Sequence, residues 1–178
     1  CIRDRSWALS HEIPPEQMEA IDACPFVWFS HSHPDHLNHD SLPRFKDRTI
    51  LLGDHYGGRV KNDLEELGYR VELLPDRQWR ELSPRLRVMA IPDYNQDSIL
   101  LIDLAGTLLV NANDAWEFHG WGRSARRVIR EFPKAILLAL SGYGDADMIH
   151  FIDEDGNDVP PFAAQKLPVG PQIQTRME

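Results

Sequence analysis

The apolar residues of this chain fall in runs too short to bury themselves as helices. Phe26 to Ser30, Thr49 to Leu52, Arg70 to Leu74, Leu86 to Ile91, Ser98 to Leu104, Thr107 to Asn111 and Ala135 to Ser141 are each four to seven residues long. A strand of that length is common, whereas a self-burying helix needs roughly 10–12 residues. These runs therefore read as strands. Ala105-Gly106 separates two of them by a two-residue turn and predicts an antiparallel β-hairpin. Val60, Leu64 and Leu67 fall at i, i+4 and i+7 ahead of Gly68, which is the pattern of a helix closed by a C-terminal glycine. Ser124 to Phe132 places Val128, Ile129 and Phe132 on one side and arginines on the other, and stops before Pro133. Hairpins mixed with strand-helix-strand units favour an α/β layered sandwich over an all-parallel doubly wound sheet.

The 178 residues, 42% of them hydrophobic, suffice for one core, so positions 1–178 are expected to form a single domain. No apolar run approaches the roughly 20 residues that cross a bilayer, and the start lacks a basic-then-apolar leader pattern. A soluble, cytoplasmic protein is the expectation. The formal net charge of -9 opposes binding to a phosphate backbone. Arg123, Arg126, Arg127 and Arg130 stand at helical spacing and read as a solvated helix face, so nucleic acid is not an expected partner. Cys1 and Cys24 have no metal-ligand spacing and offer at most one bridge. The opening at Cys1 and the Pro-rich stretch Val159 to Glu178 lead us to expect a domain incomplete at one or both ends.

Directly after the first apolar run, His31, His33, Asp35 and His36 supply three imidazoles and a carboxylate within six residues. Alternate residues of an extended chain point the same way, so His31 and His33 can approach one ion from one side. Pro34 then helps turn the chain, and Asp35 and His36 can address a second position a few ångströms away. An isolated histidine pair reads as a solvated turn; four donors behind a strand read as a metal site. Imidazole and carboxylate without thiolate suit zinc, iron or manganese.

The sequence Ser30, His31, Ser32, His33, Pro34, Asp35, His36, Leu37 resembles the His-x-His-x-Asp-His signature of the metallo-β-lactamase superfamily. The stretch Asp97 to Asp103, the hairpin, and Leu109 to Asp114 are similar to the branch containing the CMP-N-acetylneuraminate hydroxylases and their bacterial relatives. The resemblance spans roughly Phe26 to Ser141 and implies an αββα metallo-β-lactamase-like sandwich holding one or two divalent metal ions, zinc or iron. It implies His31 and His33 as ligands of a first metal, Asp35 and His36 as ligands of a second, and Asp114 as the bridging carboxylate. Two positions depart from the family pattern. No histidine occurs in Ile91 to Asp97, where Asp93 falls nearest by register and Asn95 and Asp97 are alternatives. After Asp114 only His119 and His150 remain, neither of which fits the final ligand, so that ligand is expected beyond Glu178. His39 reads as a helix-start or supporting residue, and His11, His55 and His119 have no partner spacing.

A metal-activated hydroxide, oriented by Asp35 as the catalytic group, implies hydrolysis of an ester, amide or phosphoester in a small-molecule substrate. Trp116, Trp121 and Tyr143 are candidates to line its pocket. Replacing an imidazole by Asp93 favours a harder metal and gives the alternative of a non-haem iron oxygenase. The two cysteines cannot hold a Rieske cluster, so an oxygenase would draw on a separate electron-transfer partner. A truncated, non-catalytic metal- or partner-binding module is the third expectation.

Overall fold

Ile50, Leu51 and Leu52 are consecutive and apolar, a pattern that in a strand means burial on both faces. In the computed structural model, which describes residues 12–33, 36–93, 96–113, 115, 121–139, 151–152 and 158–159, they form the centre of β2 (Thr49–Gly53) and are buried there. β2 lies between β1 (Phe26–Phe29) and β3 (Arg70–Leu74) and runs parallel to both, with Phe29 opposite Leu52 and Leu52 opposite Leu73. A parallel pair cannot be joined by a tight turn. The β2 to β3 crossover contains α2 (Arg59–Glu66), whose Leu64 is buried. Its end is a Schellman closure: the Tyr69 N–H reaches Leu64 O (3.0 Å), the Gly68 N–H reaches Glu65 O (2.8 Å), and Gly68 has φ +79°.

The second sheet has the order β4 (Arg80–Ser83), β5 (Leu86–Pro92), β6 (Ser98–Leu104), β7 (Thr107–Asn113), β8 (Ala135–Ala139). β4 to β7 pair antiparallel. The β6–β7 hairpin turns at Ala105 (φ 51°) and Gly106 (φ 89°), the two left-handed residues a type I′ turn requires. Asp103 stabilises it, accepting the Gly106 N–H through Oδ1 (2.8 Å) and Arg87 Nε through Oδ2 (2.8 Å).

Side-chain alternation along these strands divides the core. Ile50 and Leu52 of β2 pack with Phe29, Leu42 and Leu64. Leu51, on the opposite face, packs with Leu74, Val88, Ala90 and Leu100, which joins the two sheets. Met89, Ile91, Ile99, Leu101, Leu108 and Val110 point away from that contact and pack with Ala125 of α3 (Trp121–Ile129). Among the described residues the fold is thus a mixed α/β arrangement of two larger sheets and three α-helices, with period-two alternation deciding which residue enters which cluster. The chain divides into two compact units, Cys1–Leu137 and Leu138–Glu178. In the second, β9 (Phe151–Ile152) and β10 (Asp158–Val159) pair antiparallel.

The expected strands all occur, with ends moved by one or two residues: β1 stops at Phe29, β2 extends to Gly53, β5 to Pro92 and β7 to Asn113. β8 is described to Ala139, and the rest of its apolar run lies outside the described residues. α3 starts earlier than expected and ends at Ile129. β9 and β10 were not expected from the sequence, and neither were α1 (Pro15–Ala23) and β4. α1 buries none of its residues and so shows no apolar stripe. β4 is a charged edge strand in which Leu82 alone packs into a core cluster. No helix among the described residues is long and apolar enough to cross a membrane.

Leu101 is fully buried at 0% exposure, whereas Leu104, three residues on in the same strand, is 49% exposed. Leu101→Ala should lower unfolding free energy by about 2–5 kcal/mol in urea titrations. Leu104→Ala should change it by no more than about 0.5 kcal/mol.

Candidate metal centre

β1 delivers the histidine loop to the edge of its sheet. Ser30 and His31 are buried at 2% and 7% exposure, His33 is exposed and His36 is partly buried. A turn follows His33, whose carbonyl accepts the N–H groups of His36 (2.9 Å) and Leu37 (2.8 Å). This turn brings the rings together. His31 Nε2 and His33 Nδ1 face one another at 2.7 Å, with ring centroids 4.3 Å apart and planes at 83°. His36 lies against the other ring contact of His31, its centroid also 4.3 Å away. Among the described residues no group of three or more His, Cys, Asp or Glu has its donors gathered around one point; the facing nitrogens are a pair.

The far side of His31 is polar as well. Its Nδ1 lies 2.9 Å from Ser30 Oγ, 3.4 Å from Asp97 Oδ1 and 3.5 Å from Asn113 Nδ2. Asn113, the last residue of β7, also donates through Nδ2 to Ser30 Oγ. The Ser30 carbonyl is held too, accepting from Ser98 Oγ (3.0 Å) and lying 3.3 Å from His55 Nε2. Gly53 makes this approach possible: a Cβ there would come within 3.3 Å of both Ser98 and His55. A depression beside the loop is lined by His31, Ser32, Gly53, His55, Tyr56 and Gln96.

Between β5 and β6 the chain is tied across by the Asp93 N–H to Asp97 O (2.8 Å) and the Asp97 N–H to Asp93 Oδ1 (2.9 Å). Of the two acids described in this loop, Asp93 spends an oxygen on the tie and Asp97 is the one beside His31. Burial works to raise the Asp97 pKa. The His31 hydrogen bond and charge, the Ser98 N–H at 2.7 Å and the charge of His36 outweigh it and hold the carboxyl below its ordinary value. The His55 pKa is lowered as well, which for a histidine favours the neutral form. Burial lowers its pKa despite the opposing pull of the Ser30 carbonyl and of Asp93, Asp97 and Asp54, so the ring is neutral at pH 7.

Asp35, Asn95, Asp114, His119 and His150 lie outside the described residues, as do Trp116, Tyr143 and the side chain of Trp121. His39 is exposed near the Asn38 side chain, which accepts the Asp40 and Ser41 N–H groups. Ser30, Ser98, Asn113 and His55 were not singled out by the sequence. One signal could have found His55: in parallel neighbours the strand ends coincide, so Ser30 to His33 after β1 and Asp54 to Tyr56 after β2 share one sheet edge.

No family model matches the chain. It is similar to cytidine monophosphate-N-acetylneuraminic acid hydroxylase of Sus scrofa, at 24% identity over 133 residues covering 70% of this chain and 30% of that protein. The same hydroxylase of Mus musculus is 26% identical over 149 residues, covering 78% and 24%. The chain therefore spans less than a third of the length of these relatives. A solved structure from Parabacteroides distasonis, named for a metal-dependent hydrolase, aligns with a TM-score of 0.40 and 15% identity over 65% of this chain and 66% of that one. That likeness is too slight to carry an argument.

The neutral His55 makes a prediction about pH. Its folded pKa lies below the unfolded value near 6.5, so the unfolded state binds more protons in that window and stability rises with pH. The contribution is complete above about pH 6.5 and is lost as pH falls toward the folded value. His55→Gln, which keeps an N–H for the Ser30 carbonyl, should show a shallower loss of urea midpoint than the wild type between about pH 7 and pH 5.

Proposed function

We propose that this chain carries the metal site of a metallo-β-lactamase-like αββα enzyme and that the reaction is hydrolysis. The layer assignment is supported by the three core clusters, which link α2 to the first sheet, sheet to sheet, and the second sheet to α3. His31 and His33 hold one divalent cation, zinc or iron, with Asp35, His36 and Asp114 as further ligands; Asp93 joins them only in the oxygenase reading below. The observation that carries this reading is the 2.7 Å approach of His31 Nε2 and His33 Nδ1, backed by a carboxylate on the far side of His31.

The donor pair fits such an ion. Two nitrogens each about 2.0–2.1 Å from zinc at a tetrahedral angle stand roughly 3.3 Å apart, so the rings open by about half an ångström. Rotation of the exposed His33 suffices for that. A cation held there would lower the pKa of water to near neutrality and so supply a nucleophile at about pH 7. The protein's part is positional: Ser30, Ser98 and Asn113 fix the backbone and ring of His31, and Asp35 orients the attacking water. In this reading the substrate is a small-molecule ester, amide or phosphoester.

One observation favours a second reading. The similar proteins of Sus scrofa and Mus musculus are named as hydroxylases, and a shared reaction would make this chain part of a non-haem iron oxygenase. Its electrons would then come from a protein or segment other than these 178 residues.

Metal analysis after aerobic and anaerobic preparation separates the two. Bound zinc with esterase or phosphodiesterase turnover is the expected result; iron with oxygen uptake supports the oxygenase, and no stoichiometric metal under either condition rejects both. His33→Ala should abolish metal-dependent turnover while leaving the far-ultraviolet circular dichroism unchanged, because His33 is exposed and contributes to none of the core clusters. Full activity in that variant would overturn the site.

A further inference from the structure

We propose that Asp97 is a positioning residue that selects the tautomer of His31, keeping the proton on Nδ1 so that Nε2 presents its lone pair toward His33. The inference rests on the metal-site reading only in its purpose; the tautomer itself is a property of the metal-free chain.

A neutral imidazole has one N–H and one lone pair, and only the lone-pair nitrogen can bind a cation. Two arrangements compete at His31. In one, Nδ1–H points at Ser30 Oγ, 2.9 Å away, and at the Asp97 carboxylate, 3.4 Å away. In the other, the Ser30 hydroxyl donates to Nδ1 and the proton moves to Nε2, which would then point an N–H at the metal position. Ser30 by itself permits both, since a hydroxyl donates as readily as it accepts. The carboxylate does not. Asp97 Oδ1 facing a bare Nδ1 sets an anion against a lone pair in a buried setting, where electrostatic interactions are stronger than in water. Facing Nδ1–H, the same oxygen meets a positive dipole end.

Asn113 Nδ2, 3.5 Å from Nδ1, would suit a bare nitrogen, but it is no closer to Nδ1 than the Asp97 carboxylate and carries no full charge, and its shorter contact is to Ser30. Asn113 Nδ2 already donates to Ser30 Oγ, and the second lone pair of that oxygen accepts Nδ1–H. Asp97 is fixed in place by the Ser98 N–H on the same Oδ1 and by the Asp93 tie on its own N–H. A carboxylate behind a ligating histidine orients the ring and raises its basicity, and loss of such a group costs typically 10–100-fold in metal affinity.

The test uses the full metal-free chain, labelled with 15N-histidine, at pH 8. Long-range proton-nitrogen spectra report the tautomer of His31, assigned by its disappearance in His31→Gln. The wild type should show Nδ1–H. Asp97→Asn keeps an oxygen acceptor for the Ser98 N–H but removes the charge, and should shift His31 toward Nε2–H. Adding Ser30→Ala removes the hydroxyl that would donate to Nδ1 and should move the ring back, a rescue that a merely structural role would not produce. Zinc affinity should fall 10–100-fold in Asp97→Asn. A wild-type His31 that is Nε2–H or doubly protonated overturns the proposal without recourse to any variant, and so does zinc affinity unchanged in a folded Asp97→Asn protein. If the wild-type tautomer and its shift are as expected but the wild type binds neither zinc nor iron, the metal-site reading fails and the tautomer assignment stands.

Discussion

Ser30 is the residue on which the geometry of the loop depends. It follows the last residue of β1, it is buried, and its carbonyl and its hydroxyl are both engaged. Its carbonyl meets Ser98 at the start of β6 and His55 after β2, while its hydroxyl meets Asn113 at the end of β7 and the His31 ring. A strand end left to itself would fray into solvent with its side chains free to rotate. Here contacts from three other segments converge on one residue, and the histidine after it, whose ring meets the same hydroxyl, inherits their rigidity. The histidines are therefore not presented on a loose loop, although they follow a strand of only four residues.

That convergence is possible because β2 is buried on both faces. Leu51 brings the three-stranded sheet against Val88, Ala90 and Leu100 of the second sheet, and this contact sets the distance between the end of β1 and the start of β6. Gly53 completes the approach, since any larger residue would press on Ser98 and His55 at 3.3 Å. The apolar packing fixes the separation of the sheets, and the hydrogen bonds at Ser30 then select one register of polar groups across it. Neither contribution replaces the other: dispersion and burial are indifferent to which nitrogen of His31 faces which oxygen, whereas the hydrogen bonds are too few to hold two sheets together.

Much of this was legible in the sequence because burial leaves a period. Two-sided burial of Ile50 to Leu52, the alternation along Leu86 to Ile91 and Ser98 to Leu104, and the positive-φ demand met by Ala105-Gly106 each have a local signature. α1 and β4 do not, since one buries nothing and the other only Leu82. The density of donors from His31 to His36 marks a candidate site for the same reason: its residues are neighbours in the chain. Asn113, Ser98 and His55 are 83, 68 and 25 positions from Ser30 and carry no motif, so tertiary structure alone joins them. Asp97 was weighed only as an alternative to Asp93, because register along a loop does not tell which of two acids four residues apart faces a ring.

The position of that acid bears on the chemistry. A carboxylate that binds a cation directly adds a full negative charge to it and favours harder, higher-valent metals. A carboxylate that acts through an imidazole leaves the ligand neutral and strengthens it as a donor, an arrangement familiar at zinc. With the Asp93 to Asp97 loop tied across at both N–H groups, the charge of Asp97 sits behind His31 and one oxygen of Asp93 is committed to the tie. In the proposed site the loop between β5 and β6 is thus where the two candidate reactions would diverge physically: the tied form would lend its charge through His31 and suit a borderline cation activating water, and only an additional carboxylate contact from this loop would give a cation the harder surroundings that dioxygen chemistry at iron prefers.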